Sequence, residues 1–377
     1  LLARLQLLAD IQKTSAVSQY NLPKVCVLSA GFNEKSWLLR NSLGLSLCLP
    51  LLSSLVSAQN TSIQENYHNK IPMPFFDIES KIAHQETSSL ETEPIPSFVP
   101  AEDTDKEVIS LLRVLNGTIA NIKDYPFTTF VYALLGNSGE ACTGSLISSK
   151  VIVTAAHCLF DPNQVPFSPS KIYVSAGTNT NINDAPSANI FRASKIVPHP
   201  SYDPRTALND VGLIFLTTSV PSSIATPTKI YTGEISDSLP VAAAGWGLTS
   251  NDPDAQVADV LSYVNLNISS SAECKILNPV WNGNSGYTIC TLIQNGKDTC
   301  YGDSGGPLAV LNTNQNPMPI VGLTSIGNSP GNDEKPLCGQ PGGTAYYTNL
   351  KNYLSWINQQ MNDTTTTTGT TLYPLFS

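Results

Sequence analysis

Asp298-Thr299-Cys300-Tyr301-Gly302-Asp303-Ser304-Gly305-Gly306-Pro307 sets a single hydroxyl nucleophile among small residues. Glycines on both sides of Ser304 let the backbone approach a substrate closely and let amide groups point at one spot. A serine hydroxyl is a poor nucleophile at neutral pH, so such a loop needs a base from elsewhere in the chain. Two other stretches supply the complementary chemistry. Val153-Thr154-Ala155-Ala156-His157-Cys158 runs from β-branched residues into an imidazole beside a cysteine, and Asn209-Asp210-Val211-Gly212-Leu213-Ile214 places a carboxylate at the mouth of an apolar run. Taken singly, a histidine is most often a structural residue and an acid before a strand a turn former.

Around these stretches the texture from Val114 onward is that of β structure. Phe127 to Leu135, Ser145 to Thr154, Lys171 to Ala176 and Val211 to Leu216 are short runs rich in Val, Ile, Thr and Tyr, separated by Gly, Pro, Asn and Ser clusters. Many short strands with turn signals between them imply an all-β sandwich or barrel. Near the end, Leu350, Leu354, Ile357 and Met361 recur at helical spacing and predict one C-terminal helix over Leu350 to Met361.

The three motifs, GDSGGP, TAAHC and NDVGLI, in the order His, Asp, Ser, resemble the trypsin and chymotrypsin family of serine proteases. The resemblance covers Val114 to about Met361 and implies an all-β fold of two antiparallel six-stranded β-barrels, roughly 114 to 227 and 228 to 350, with a C-terminal helix. It implies His157 as general base, Asp210 as the group orienting it, Ser304 as nucleophile, and the amides of Gly302 and Ser304 as the oxyanion hole. It also implies disulfides Cys142–Cys158, Cys274–Cys290 and Cys300–Cys338. Asp298, six residues before Ser304, matches the position of the carboxylate that selects Arg or Lys, with Ser325 and Gly327 along the same substrate-binding wall. The expected activity is hydrolysis of peptide bonds after Arg or Lys. The alternatives are a catalytically inert homologue serving as a binding module, or the same enzyme with chymotrypsin-like or elastase-like specificity. Two departures bear on specificity: Ile326 stands where the family usually has tryptophan, and Ala345 falls where glycine usually lines the pocket.

Upstream, Leu112-Arg113-Val114-Leu115-Asn116-Gly117 resembles the family's activation junction. Cleavage after Arg113 would free the Val114 ammonium to pair with Asp303. Residues 59 to 113 hold ten acidic and four basic residues and five prolines, a composition that suits an extended pro-segment better than a packed domain. Ser42 to Val56 is leucine-rich and uncharged, follows Lys35 and Arg40, and ends at the small-x-small site Val56-Ser57-Ala58, so residues 36 to 58 read as a secretory signal peptide. Residues 1 to 35 read as upstream sequence outside the native protein, and 362 to 377 as a threonine-rich flexible tail.

Composition narrows the partners. The 377 residues carry a net charge of -9 and only 13% charged residues, which argues against nucleic acid. A secreted, extracellular monomer acting on protein or peptide substrates, open to protein inhibitors and without membrane attachment, is the expectation. With Cys26 and Cys48 upstream, six of the eight cysteines remain in the mature chain, an even number that suits an oxidising compartment. No CxxC or HxxxH spacing occurs, and in the loop after Gly177 the one acid, Asp184, is thin support for calcium, so no metal and no cofactor is expected. Glycosylation sequons fall at Asn60, Asn116, Asn267 and Asn362, with Asn116 expected to be unmodified beside the junction.

Overall fold

The computed structural model describes residues 72–74, 78–79, 81–82, 117–330 and 336–366. The proposed upstream sequence and signal peptide, most of the pro-segment, Arg113, Val114, the sequons at Asn60 and Asn116 and the end of the tail lie outside the described residues.

Fourteen strands are present among the described residues. The first half of the chain supplies β1 (Pro72–Pro74), β2 (Thr118–Ile119), β3 (Thr128–Leu135), β4 (Ser138–Ser148), β5 (Val151–Thr154), β6 (Ile172–Ala176), β7 (Ile190–Pro198) and β8 (Gly212–Leu216). The second half supplies β9 (Pro240–Gly245), β10 (Ser262–Asn267), β11 (Thr288–Leu292), β12 (Pro307–Val310), β13 (Ile320–Asn328) and β14 (Thr344–Asn349). A short helix α1 (Ala272–Leu277) precedes β11, and α2 (Leu354–Thr366) follows a 3-10 turn at Leu350–Tyr353.

Strands β4, β3, β6, β7, β8 and β5 pair antiparallel in that order, and β5 returns to β4 to close a six-stranded barrel. Closure removes free edges and turns alternate side chains into the lumen, where Leu146, Ile152, Val174 and Ile214 are fully buried. The second sheet runs β11-β14-β13-β12-β9-β10-β2. Its two ends meet more lightly than those of the first. A single bridge links Ile268 to Thr291, and the Ser269 amide donates to the Cys290 carbonyl at 2.9 Å. Val241, Val264, Leu308, Val321 and Tyr347 fill this second core.

Each end of the chain crosses to the other half. Residues 118–119 fall in the range expected for the first barrel, yet they pair with Ser262 and Tyr263 of β10. Conversely, the C-terminal segment reaches the first barrel: Tyr353 donates to Asn209 Oδ1 at 3.2 Å, the Trp356 ring lies 4.9 Å from that of His199, and Leu350, Tyr353 and Ile357 are buried in the core cluster that spans both halves. The helix expected from Leu350 thus begins as a 3-10 turn and becomes α-helical at Leu354. Phe130 of the first barrel meets Trp246 of the second edge-to-face at 5.5 Å, so the seam is itself apolar core. No helix among the described residues is long and apolar enough to cross a membrane.

Within residues 59–113, expected to be extended and unpacked, the described residues include packed ones. Residues 72–74 form a strand on β4, and Met73 and Ile78 are buried in the main core. Acidic, proline-rich composition hides these two anchors because the short apolar run Ile71-Pro72-Met73-Pro74-Phe75-Phe76-Asp77-Ile78 has no sustained periodicity.

Candidate active site

His157 lies on a single 3-10 turn, Ala156–Leu159, where β5 leaves the barrel. Asp210 precedes β8, and the residue before it, Asn209, takes φ +58°, a left-handed conformation that asparagine tolerates better than most residues. This reversal aims the Asp210 carboxylate inward, where it is fully buried. Because β5 and β8 are hydrogen-bonded neighbours, the two side chains leave the barrel at the same end. His157 Nδ1 sits 2.8 Å from Asp210 Oδ2, and the His157 amide donates to Oδ1 at 2.9 Å.

Two further hydroxyls complete the surroundings of Asp210. Ser325 donates to Oδ2 at 2.6 Å, and Thr348 donates to the Asp210 backbone carbonyl at 2.8 Å. Burial pushes the Asp210 carboxyl upward, but the adjacent His157 and the hydrogen bonds from His157 and Ser325 outweigh it and hold the group below the usual carboxylate range. Ser325 was expected on the substrate wall. Its hydroxyl is directed at Asp210, since a buried carboxylate needs every donor within reach.

Ser304 comes from the opposite half, on the loop before β12. Thr143 of β4 ties that loop to the first barrel: its amide donates to the Ser304 carbonyl at 2.8 Å and its hydroxyl to the Gly302 carbonyl at 3.0 Å. Cys158 Sγ lies 3.6 Å from the Ser304 carbonyl oxygen, and a ring nitrogen of His157 lies within 4.8 Å of the Cys142 and Cys158 sulfurs. The nucleophile loop, the imidazole and the carboxylate therefore converge at the seam between the barrels. The cluster of Cys142, Cys158 and His157 resembles a metal-ligand set, but both sulfurs are joined in a disulfide and offer no thiolate.

Backbone strain at the loop explains its glycines. Gly302 has φ +97° and Gly305 φ +76°, and a Cβ on Gly305 would sit 2.1 Å from Thr154 Oγ1. Among the described residues no hydrogen bond engages the Gly302 or Ser304 amide. Next to them Asp303 is buried, accepting from the Gly247 amide at 2.8 Å and the Cys300 amide at 2.9 Å. Burial raises its pKa to about 6 against the pull of those two amides. Glycine at 245 and 247 is required by this carboxylate, since a Cβ at either position would lie 2.3 Å from its oxygens.

Asp298 is also buried. Its Oδ2 accepts from the Gly339 amide at 2.9 Å, while Oδ1 lacks a well-formed hydrogen bond among the described residues. Burial lifts its pKa to about 7, opposed by the Gly339 and Thr299 amides and assisted by the charge of Asp303. Gly327 and Ala345 face one another across β13 and β14, and a Cβ on Gly327 would meet nothing closer than 3.8 Å. Ile326, in place of an aromatic residue, packs with Trp281 and Tyr346 beside the Cys274–Cys290 disulfide. Cys300 and Cys338 are joined with Cα atoms 5.5 Å apart, tying the Ser304 loop to the turn at Gly339 that contacts Asp298. Thr143, Thr348 and the role of Ser325 were missed in the sequence because a lone hydroxyl in a strand carries no signal of its partner.

Two antiparallel β bodies with a serine, a histidine and a buried carboxylate at their seam define a serine hydrolase of the double-barrel class. The Trypsin family model matches residues 114–357, and the chain belongs to that family as a serine endopeptidase. Among its relatives, it is 29% identical to Trypsin beta of Drosophila erecta over 52% of this chain and 73% of that protein. It is 32% identical to human Kallikrein-14 over 59% of this chain and 74% of the relative. The match to Trypsin-3 of Salmo salar is 32% identical over 61% of this chain and 87% of the relative.

Proposed function

We propose that the chain is a secreted zymogen whose activated form cuts peptide bonds after Arg or Lys. Asp298 carries this reading: a buried carboxylate with one oxygen lacking a well-formed bond is stabilised by a cationic side chain and poorly matched by an apolar one. In the proposed reaction, Ser304 Oγ attacks the substrate carbonyl as His157 takes its proton, while Asp210 fixes the imidazole tautomer and stabilises the imidazolium. The Gly302 and Ser304 amides receive the developing oxyanion, each such donor lowering the barrier by about 3 to 4 kcal/mol. His157 then protonates the leaving amine, and water, activated by the same imidazole, hydrolyses the acyl-enzyme. Comparing Arg, Lys, Phe and Ala amide substrates on activated protein tests the specificity; a preference for Phe or Ala would overturn it.

The raised pKa of Asp298 gives a second expectation. A cationic ligand needs the ionised form, so binding must drive off the proton wherever the free site holds one. Affinity for an aryl amidine is expected to weaken about tenfold per pH unit as pH falls below about 7. Inhibition measured from pH 5 to 8 checks this, and a flat profile contradicts it.

Activation by cleavage after Arg113 rests on the motif and on Asp303, a buried carboxylate with two amides but no cation beside it among the described residues. The new Val114 ammonium would supply the counter-charge and order the oxyanion loop. Since the Asp303 pKa in the uncut chain lies above its unfolded value, the sign is fixed. Its contribution to stability is full below about pH 4 and is lost as pH rises through about 6, a loss on the order of 3 kcal/mol. Pairing with the ammonium removes that loss. Arg113→Gln protein should therefore be inactive and fall behind the activated form in melting temperature as pH rises from 4 to 6. Parallel curves for the two would argue against the ion pair.

A further inference from the structure

The segment expected to serve only as a discarded leader has its own site on the first barrel. The edge of β4 that faces away from β3 is covered by β5 over Ser145–Ser148 and by β1 over Ser138–Glu140. Without β1, three residues of that edge would present unpaired backbone groups. Met73, opposite Gly139, is 2% exposed, and a Cβ at Gly139 would collide with the Tyr132 ring at 2.1 Å. Five residues on, Ile78 is 3% exposed, and Ile82 packs against the same core.

Polar contacts extend the attachment to other elements. Glu79 accepts from the Tyr173 hydroxyl of β6 and from Arg192 Nη2 of β7 at 2.5 Å. Lys81 Nζ donates to the Asn183 carbonyl at 2.8 Å, with the Asp184 carboxylate nearby. The described residues of this segment therefore reach β4, β6, β7 and the loop before β7, with both backbone and side-chain recognition. A passive tether would not bury two apolar side chains, because leaving them solvated at both ends of a cut would create voids in the barrel.

We propose that the segment carrying residues 72–74, 78–79 and 81–82 is a docking peptide for the first barrel, seated on the edge of β4 through β1, and that it stays there after cleavage at Arg113, making the activated enzyme a noncovalent two-chain protein. The docking itself stands on the contacts above, while its consequence for the mature enzyme rests on the activation reading. The attachment must be noncovalent, because no cysteine lies between Cys48 and Cys142. In chemical terms the site takes a peptide that is extended at its first apolar anchor, Met73, and helical at its second, Ile78, with an acid directly after it.

The test cuts the link at a place of its own. A recognition site for a foreign sequence-specific protease is inserted between Glu91 and Glu102 of the full chain carrying Arg113→Gln, so the result does not depend on the native junction. After cutting, the upstream fragment should co-elute with the catalytic body in size exclusion at micromolar concentration. Met73→Asp with Ile78→Asp should weaken retention at least about tenfold. Arg192→Glu, an exposed barrel residue, should weaken it several-fold, and combining it with Glu79→Arg should restore retention. Elution of the unaltered fragment apart from the body, or full retention with both anchors changed, overturns the proposal. Should the anchor variant fail to fold, a labelled peptide of residues 70–84 added to cut protein replaces it. That peptide should displace the native fragment while one carrying Met73→Asp and Ile78→Asp should not, and equal displacement by both overturns the idea. Activation at Arg113 is read separately, from the activity gained by the wild-type chain on cleavage there.

Discussion

Replacing Ser304 by alanine is expected to lower kcat for peptide hydrolysis by about a millionfold, with little change in melting temperature. The loss is large because the hydroxyl is the atom that forms the acyl bond, and neither His157 nor Asp210 has anything to act on without it. Adding His157→Ala to the same chain should therefore cost little more, since the residues work as a unit. Stability should hold because the loop is anchored through backbone: the Thr143 amide bonds the Ser304 carbonyl and the Gly305 amide bonds Thr324, and neither contact uses the side chain. Single-turnover kinetics and a thermal melt check both halves. A variant retaining a hundredth of wild-type kcat would place the nucleophile elsewhere.

Asp298→Asn is expected to cut kcat/KM for Arg and Lys substrates by about 10⁴-fold while leaving Phe and Ala substrates within about tenfold of wild type. The amide keeps the size of the carboxylate and its oxygen can still accept from Gly339, so the change isolates charge. The same variant should be the more stable protein at neutral pH. Burial holds the folded pKa at about 7, above the unfolded value, so the wild-type chain loses stability as pH rises from about 4 to about 7. Asparagine has no charge to bury, and the variant should gain up to a few kcal/mol at pH 8. Activity and stability thus move in opposite directions, as expected where a binding site holds an unpaired charge. Equal loss on basic and apolar substrates would show that Asp298 shapes the loop and does not select the side chain.

Much of this fold is legible along the chain because strand formation is a local matter. Continuous runs such as the β-branched Val151–Thr154 and the largely apolar Gly212–Leu216 are fully buried strands in the structure. What they pair with is not local. Nothing in Thr118-Ile119 says that it joins β10, or in Leu350, Tyr353 and Ile357 that they cover the opposite barrel. Both contacts join segments distant in the sequence, so no local pattern records them. Helical spacing gave Leu350 as the first turn of the C-terminal helix, but the Asn349 side chain accepts from the Lys351 amide and starts a 3-10 turn first.

The site divides the same way. GDSGGP, TAAHC and NDVGLI name the reacting side chains because the chemistry demands those residue types within short motifs. The donors that set Asp210 came from Ser325 and Thr348, more than a hundred residues away, and a hydroxyl in a strand looks the same whether it faces water or a carboxylate. Met73 and Ile78 make the same point for the pro-segment, where two apolar residues in an acidic stretch mean nothing until β4 offers an open edge.

By itself the sequence determined the β-rich body, the family and the identity of the candidate reacting residues, because strand pattern and motif chemistry are written in neighbouring positions. Only the tertiary structure decided which groups surround Asp210, where Asp298 and Asp303 stand relative to solvent, and that residues 72–74 pair with the edge of a barrel. Burial and pairing arise between segments distant in the chain, and the free energy of a buried charge or an uncovered strand edge depends on what those distant segments bring to it.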